Sequence, residues 1–383
     1  MGLILNDLKN ACELEHVCDY VNNRTTSSMN YISTENMLPN KGGISESTII
    51  PPGTTTEYKI GDILISNIRP YFQKIWCADR CGGCSADVLC IRAKENTDSK
   101  YLYYLLSQQA FFDYVMSGAK GCKMPRGDKK QIMQWPVNIP AIDVQKKVVA
   151  ILSSLDNKIR LNRRINDNLE EQAKALFNHY FIQNTENLGE WQDGVLTDIA
   201  QYLNGLVMQK YPAMPNEAGL PVLKIKELGQ GQCDTNSDRC SSLIKPEYII
   251  SDGTIIFSWS GTLLVDIWCG GKCGLNQHLF KVSSAKYPQW FVFYWTKHHL
   301  NKFIRIAKDK AVTMGHIKRC DLEISKVKIP SKQALVNLDK LFSPIFNRMV
   351  TCRIENRKLS SLRDTLLPKL MSGEISVEEV SLD

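Results

Sequence analysis

The chain of 383 residues repeats itself at half its length, and that duplication restricts its possible folds more than any other feature. Displaced by 190 residues, Tyr101-Leu102-Tyr103-Tyr104 falls on Phe291-Val292-Phe293-Tyr294, Met124 on Met314, and Val137-Asn138-Ile139-Pro140 on Val327-Lys328-Ile329-Pro330. Asn157, Arg163, Asn166 and Leu169 then meet Asn347, Arg353, Asn356 and Leu359. With small shifts the match extends upstream. Gly61-Asp62-Ile63-Leu64-Ile65-Ser66 resembles Gly253-Thr254-Ile255-Ile256-Phe257-Ser258, and Val88-Leu89-Cys90-Ile91 resembles Leu279-Phe280-Lys281-Val282. Two tandem units follow, each long enough to bury a core of its own. The shared residues concentrate in the helix-like portion, as expected if that part keeps one task while the upstream part varies.

Each copy divides into a globular part and a long helix. Short apolar runs bounded by Gly, Pro and Asn predict strands over Ile60 to Ser66, Ser85 to Ile91, Thr254 to Ser258 and Gln277 to Val282. Helices are predicted over about Lys100 to Met116 and about Gln289 to Ile306. After Ile139-Pro140 the period becomes a heptad, carried by Val148, Leu152, Leu155, Ile159, Asn162, Asn166, Leu169, Ala173, Leu176 and Tyr180. The same displacement gives a rougher stripe through Leu338, Phe342, Ile345, Met349, Cys352, Asn356, Leu359, Arg363, Leu366 and Leu370, in which Pro344 predicts a kink or a late start. Asn166 and Asn356 fall at interior seam positions, where a polar group lowers stability but can fix register; simple exposure is the alternative. Two such helices of about 40 residues, each about 60 Å long, would form a rod that holds the globular parts apart. The fold class expected is α+β, with two α/β domains separated by two long coiled-coil-like helices in an internal pseudo-two-fold duplication. The boundaries are 1–140, 141–183, 184–330 and 331–383.

Basic charge gathers just before each long helix. The first copy has Lys120, Lys123, Arg126, Lys129 and Lys130 opposed by Asp128. The second has Lys297, Lys302, Arg305, Lys308, Lys310, Lys318 and Arg319 opposed by Asp309, with His298, His299 and His316 nearby. A charge run is most often a solvated face, but this one occurs twice at matching places, which suits phosphate contacts that orient a reader on a duplex. The net charge of +7 is modest, so placement matters more than excess. Loops around Asn67, Arg69 and Tyr71, and around Trp259 and Ser260, carry side chains of the types that reach base edges.

Enzymatic signatures are missing from the sequence: no Gly-x-Gly-x-x-Gly, Walker loop, His-Glu-x-x-His, Gly-x-Ser-x-Gly or Asn-Pro-Pro-aromatic run occurs. Cys77, Cys81, Cys84 and Cys90, echoed by Cys269 and Cys273, suggest zinc only loosely, because no second Cys-x-x-Cys follows at a suitable distance. Thirteen cysteines in a chain of this size are better read as free thiols in a reducing compartment. The aromatic run Trp290 to Trp295 is expected in a helix core rather than stacked on bases, and His278 as a structural group. No apolar run approaches the roughly 18 residues of a membrane helix. Met1 to Asp7 lacks a secretory pattern, so a cytoplasmic location and no membrane are expected.

In their order, the Gly61 to Ser66 strand, the Asn276-Gln277-His278-Leu279-Phe280 run, the Ile-Pro before each helix, and the endings Asn168 to Phe177 and Leu362 to Ile375 make this chain resemble the specificity subunits of Type I restriction-modification systems. The likeness covers essentially the whole chain, with one departure: Ser331-Lys332-Gln333-Ala334-Leu335 lacks the acidic-Gln pattern after Ile-Pro, and the first copy has only Asp143-Val144-Gln145. It implies two target recognition domains on two antiparallel helices, and a non-catalytic subunit that binds a split site in double-stranded DNA. It also implies two methyltransferase (modification) subunits docked on the helices, restriction and translocase subunits in the larger assembly, and S-adenosylmethionine, ATP and Mg held by those partners, with no cofactor or metal in this chain. Helix pairing and partner docking would fall to Leu152, Leu155, Ile159, Asn166, Leu169, Phe342, Ile345, Met349, Asn356 and Leu359. A homodimer imposes its symmetry on its DNA, whereas a duplicated chain with diverged halves escapes that constraint. The alternatives are a stand-alone bipartite DNA-binding protein or regulator, which would bind tightly without partners, and a scaffold whose globular ends bind proteins, for which charge reversal in the basic clusters would change nothing.

Overall fold

The computed structural model describes residues 11–26, 30–47, 53–121, 123–183, 191–309 and 315–377. The chain divides into two compact units, Met1–Asp156 with Ser361–Asp383, and Asn157–Ser360.

In the first unit a four-stranded antiparallel sheet runs in the order Cys18–Tyr20, Val88–Ala93, Ile63–Ser66, Ile75–Cys77. Ser66 pairs with Val88 and Ile63 with Ile91. Successive side chains of a strand point to opposite faces, and here both faces are covered. Ile63, Ile65, Leu89 and Ile91 pack against Tyr101, Leu105, Phe111 and Phe112 of the helices that follow. Leu64, Val88 and Cys90 join Tyr58, Trp76 and Cys84 on the other side. Double burial explains why the Ile63–Ser66 strand reads as continuous apolar sequence without alternation. A three-stranded sheet (Arg24–Thr25, Thr55–Tyr58, Gly82–Cys84) and a short pair (Cys12–Glu13, Pro136–Val137) complete the unit.

The second unit repeats this plan. Its main sheet runs Gln201–Asn204, Leu279–Ser283, Thr254–Ser258, Leu264–Trp268, with Ser258 paired to Leu279 and Ile255 to Val282. Ile255, Phe257 and Val282 face the helix Gln289–Asp309, while Ile256, Trp268 and Leu279 face Leu223, Ile250 and Leu275. A further four-stranded sheet (Arg239–Cys240, Leu220–Leu223, Cys273–Leu275, Ile249–Ile250) and the pair Gln192–Val195 with Lys326–Ile329 complete it. Sheet order and register are thus duplicated along with the sequence.

Some predicted elements differ from the structure. The strand expected from Ile60 begins at Ile63, because Lys59 to Asp62 form a turn with Gly61 at φ 89°. The strands expected over Ser85 to Ile91 and Gln277 to Val282 lie at Val88–Ala93 and Leu279–Ser283. The helix predicted over Lys100 to Met116 is two helices, Ser99–Leu106 and Gln109–Ser117. The break falls at Ser107, whose hydroxyl donates to the carbonyl of Tyr103 at 2.6 Å and whose N–H folds back on Tyr104. The second copy has Lys297 in that place and its helix runs unbroken. As expected, Trp290 to Trp295 are core residues, with Trp290 stacked on Phe342 at 4.2 Å.

The first long helix spans Ile142–Phe177 and continues as a π-helical stretch, Asn178–Gln183; the second spans Lys332–Ser372. Pro344 therefore does not delay the second helix. It sits on the exposed face while Phe342 and Phe346 beside it are buried, so packing outweighs the single helical N–H that proline removes. In the first unit Val148, Ile151 and Leu152, near the start of one helix, pack with Leu367, Leu370 and Met371, near the end of the other. In the second unit Ala173 and Phe177, near the end of the first helix, pack with Leu338 and Phe342, near the start of the second. Within each unit the helical segments are therefore antiparallel. Among the described residues no helix is long and apolar enough to cross a membrane.

Candidate nucleic-acid interface

In each unit the loop leaving the central strand of the main sheet is stitched to the loop that precedes a short helix. In the first unit Arg69 N–H donates to the carbonyl of Pro125 at 2.8 Å and Gly127 N–H to that of Asn67 at 3.3 Å, with a bridge between Ile68 and Arg126. In the second, Gly261 N–H donates to Gly315 at 3.0 Å and Ile317 N–H to Trp259 at 3.1 Å, with a bridge between Ser260 and His316. A third loop closes each cluster: Asn67 N–H reaches the carbonyl of Asp87 at 2.9 Å, and Trp259 N–H that of His278 at 3.3 Å. Inside the loops, Ser66 Oγ donates to the carbonyl of Ile68 at 3.0 Å and Ser258 Oγ to that of Ser260 at 3.2 Å. Arg69 and Gly261 both adopt positive φ, at 51° and 65°.

The backbone frame is therefore shared, while the side chains on it are not: Asn67 stands opposite Trp259, Ile68 opposite Ser260, Arg69 opposite Gly261, and Arg126 opposite His316. Only one of these two positive-φ residues is glycine. Arg69 holds a left-handed backbone that costs a side-chain-bearing residue about 1 kcal/mol, and strain of this kind collects at functional sites.

The predicted contact residues of the first copy gather on this frame. Arg69 and Tyr71 are exposed, and Tyr71 lies against Phe72 with ring centroids 4.6 Å apart. Asn67 is half-buried, and its Oδ1 has no partner among the described residues. Lys120 and Arg126 are exposed but paired, with Asp128 and Asp87 respectively, each at 3.1 Å. The Lys120 hydrogen bond, with the backbone N–H groups of Gln131 and Lys130, holds Asp128 below the usual carboxylate range. Lys123, Lys129 and Lys130 are exposed, the last two opening the short helix Lys129–Met133.

In the second copy Lys302, Arg305 and Lys308 are exposed at three-residue spacing on the helix Gln289–Asp309, so they share one face. Lys308 lines a cleft of about 300 Å³ with Gly261, Thr262, Leu263 and Gly315, which joins the basic helix edge to the loop cluster. Lys318 and Arg319 are exposed at the short helix Arg319–Glu323. Lys297 instead turns to Glu170 of the first long helix and sits 5.2 Å over the Phe293 ring. Lys310 and Met314 lie outside the described residues, as do Met1 to Asp7. Trp259 is half-buried and donates through Nε1 to Asn204 Oδ1 at 3.0 Å; Ser260 is 5% exposed, its hydroxyl held by His278.

Of the helix-pairing residues, Leu152, Ile159, Phe342 and Met349 are buried, and Leu155, Asn166, Leu169, Ile345, Asn356 and Leu359 are half-buried. The fully buried polar seam residue is Asn162, which donates from Nδ2 to Glu355 Oε2 at 2.8 Å and to Asn356 Oδ1 at 3.0 Å. Internal matching points to Asn166 instead, and the heptad stripe begins at Val148, one heptad step of three after Gln145. Gln145 is fully buried at the start of the first long helix, donates to the carbonyls of Asn96 and Pro140, and accepts from Asp98 N–H. The Asp143-Val144-Gln145 run carries the signal that would have found it.

Cys77, Cys84 and Cys90 lie on three different strands and Cys81 in an exposed connecting segment; burial pushes the Cys77 thiol up to about 11 and that of Cys84 up to about 12. Among the described residues no three His, Cys, Asp or Glu side chains gather as metal ligands would.

Residues 9–171 match the family described as Type I restriction modification DNA specificity domain. The chain is 26% identical over 310 residues to the Type I restriction enzyme MjaIX specificity subunit of Methanocaldococcus jannaschii, covering 75% of this chain and 71% of that protein. It is 20% identical over 434 residues to the HindI specificity subunit of Haemophilus influenzae, covering 90% and 94%. Among solved structures, the Type I restriction-modification S subunit from M. genitalium shares the fold, with a TM-score of 0.53 at 14% identity over 94% of this chain and 95% of that chain.

Proposed function

The chain belongs to the Type I restriction-modification specificity-subunit family, whose role is DNA recognition rather than catalysis, and from that premise we propose that its two loop clusters read the two unlike halves of one asymmetric DNA site. The observation that carries this reading is the shared loop frame bearing different side chains. A common frame presents each half to the duplex in the same way, and the side chains on it select different bases. Lys123, Lys129, Lys130, Lys302, Arg305, Lys308 and Lys318 supply the exposed charge for phosphate contacts. Arg69, Tyr71 and Arg126 in one cluster, and Trp259 in the other, are the side chains best placed to select bases.

A specificity subunit assembles with the other subunits of its system. Two methyltransferase subunits are proposed to dock on the long helices and restriction-translocase subunits to join them, bringing S-adenosylmethionine, ATP and Mg with them. The test is a methyl-adenine map of the native genome with and without this gene. The reading expects one interrupted, asymmetric motif to lose methylation on deletion; an intact, expressed system whose methylation is unchanged would overturn it.

A further inference from the structure

The residue just before the strand that flanks the central one occupies the same place in both units, Asp87 before Val88 and His278 before Leu279. Its carbonyl closes the loop cluster in each. Its side chain also ties the cluster together, by different chemistry in the two copies. Asp87 Oδ1 lies 3.1 Å from a terminal nitrogen of Arg126, on the partner loop. His278 Nδ1 lies 2.9 Å from Ser260 Oγ, on the central-strand loop, and its ring lies 6.1 Å from that of Trp259. The Asp87 main-chain N–H is itself anchored on Ser85 Oγ, and that of His278 on Asn276 Oδ1, so each residue is held before it holds its loop.

We infer that Asp87 and His278 are positioning residues for recognition, each aiming the loop side chains of its own half. This rests on the reading of the clusters as DNA-facing. Both side chains are half-exposed, where an ion pair or a single hydrogen bond adds little to stability. The tie therefore acts on where Arg126, Ser260 and Trp259 point rather than on whether the unit folds. Asp87→Asn leaves Arg126 free to swing, and His278→Ala releases the Ser260 hydroxyl.

The experiment is selection from a DNA library randomised at both halves, using the full-length wild-type chain, Asp87→Asn, His278→Ala, and the conservative Asp87→Glu, each assembled with the methyltransferase subunits, with thermal unfolding of each chain. Each of the first two variants is expected to relax base preference by about ten-fold at one half-site only, a different half for each. Thermal midpoints should stay near wild type and Asp87→Glu should restore part of the lost preference. Unchanged preferences, equal losses at both halves, or losses that track a fall in thermal midpoint would overturn the inference. A wild-type chain that selects no motif would instead remove the DNA reading on which it rests.

Discussion

The two loop clusters hold the same hydrogen bonds in the same register, yet one carries Asn67, Ile68 and Arg69 where the other carries Trp259, Ser260 and Gly261. Their charge is also disposed differently. The first cluster engages two of its cations in ion pairs, Lys120 with Asp128 and Arg126 with Asp87. The second presents Lys302, Arg305 and Lys308 along one exposed helix face. Backbone geometry is thus the shared quantity and surface chemistry the variable one, which is what a duplicated reader of unlike half-sites requires.

The two units differ most in their cores. Trp290 stacks on Phe342 and donates through Nε1 to Asp339 at 2.7 Å, whereas Lys100 holds the matching place in the first copy. Trp290→Ala should destabilise the second unit by about 3–5 kcal/mol, and Lys100→Ala should change stability by less than about 0.5 kcal/mol, both read by denaturant unfolding.

Acid should separate the units next. Burial pushes His299 down to about 4, and its ring is 2.8 Å from the carbonyl of Lys326; Gln109 takes its place in the first copy. The unfolded chain takes up that proton near pH 6.5 and the folded one only near 4, so the contribution is complete above 6.5 and is lost as pH falls to 4 and below. About 3 kcal/mol is at stake. Thermal midpoints followed from pH 7 to 4 should fall less steeply in His299→Gln than in wild type.

Charge removal at the surface should also act unequally on the two units. Replacing Lys302, Arg305 and Lys308 together by Ala should lower DNA affinity by roughly ten- to hundred-fold and flatten its salt dependence by about 0.9 for each phosphate no longer neutralised. Replacing Lys120 and Arg126, already paired, should flatten it less. The smallest effect is expected at Arg69→Gly, which gives the first cluster the residue found in the second. It should raise stability by about 1 kcal/mol through relief of the positive φ, while weakening selection at one half-site.

The duplication, the heptad seams and the buried aromatic helix are legible in the sequence because periodicity and internal matching need no knowledge of tertiary contacts. The loop clusters are legible only as residue types. The bridge from Ile68 to Arg126 joins residues far apart in sequence, and nothing local marks it. Asp87 and His278 could have been found, since each directly precedes one of the matched runs beginning at Val88 and Leu279. A heptad places both Asn162 and Asn166 on the seam, and only the facing residues, Glu355 and Asn356, show that Asn162 is the enclosed one. The helix break at Ser107 is hidden because serine is tolerated in helices and ends one only when its hydroxyl and N–H both turn back on the preceding turn.

A direct test is the sequence motif selected by the full-length wild-type chain, assembled with its methyltransferase subunits, from a library in which both half-sites and the gap between them are randomised. Two unlike half-sites at one fixed separation are the expected result. A palindromic motif, a single uninterrupted one, or no enrichment at all would contradict the account of two diverged readers on one duplicated frame.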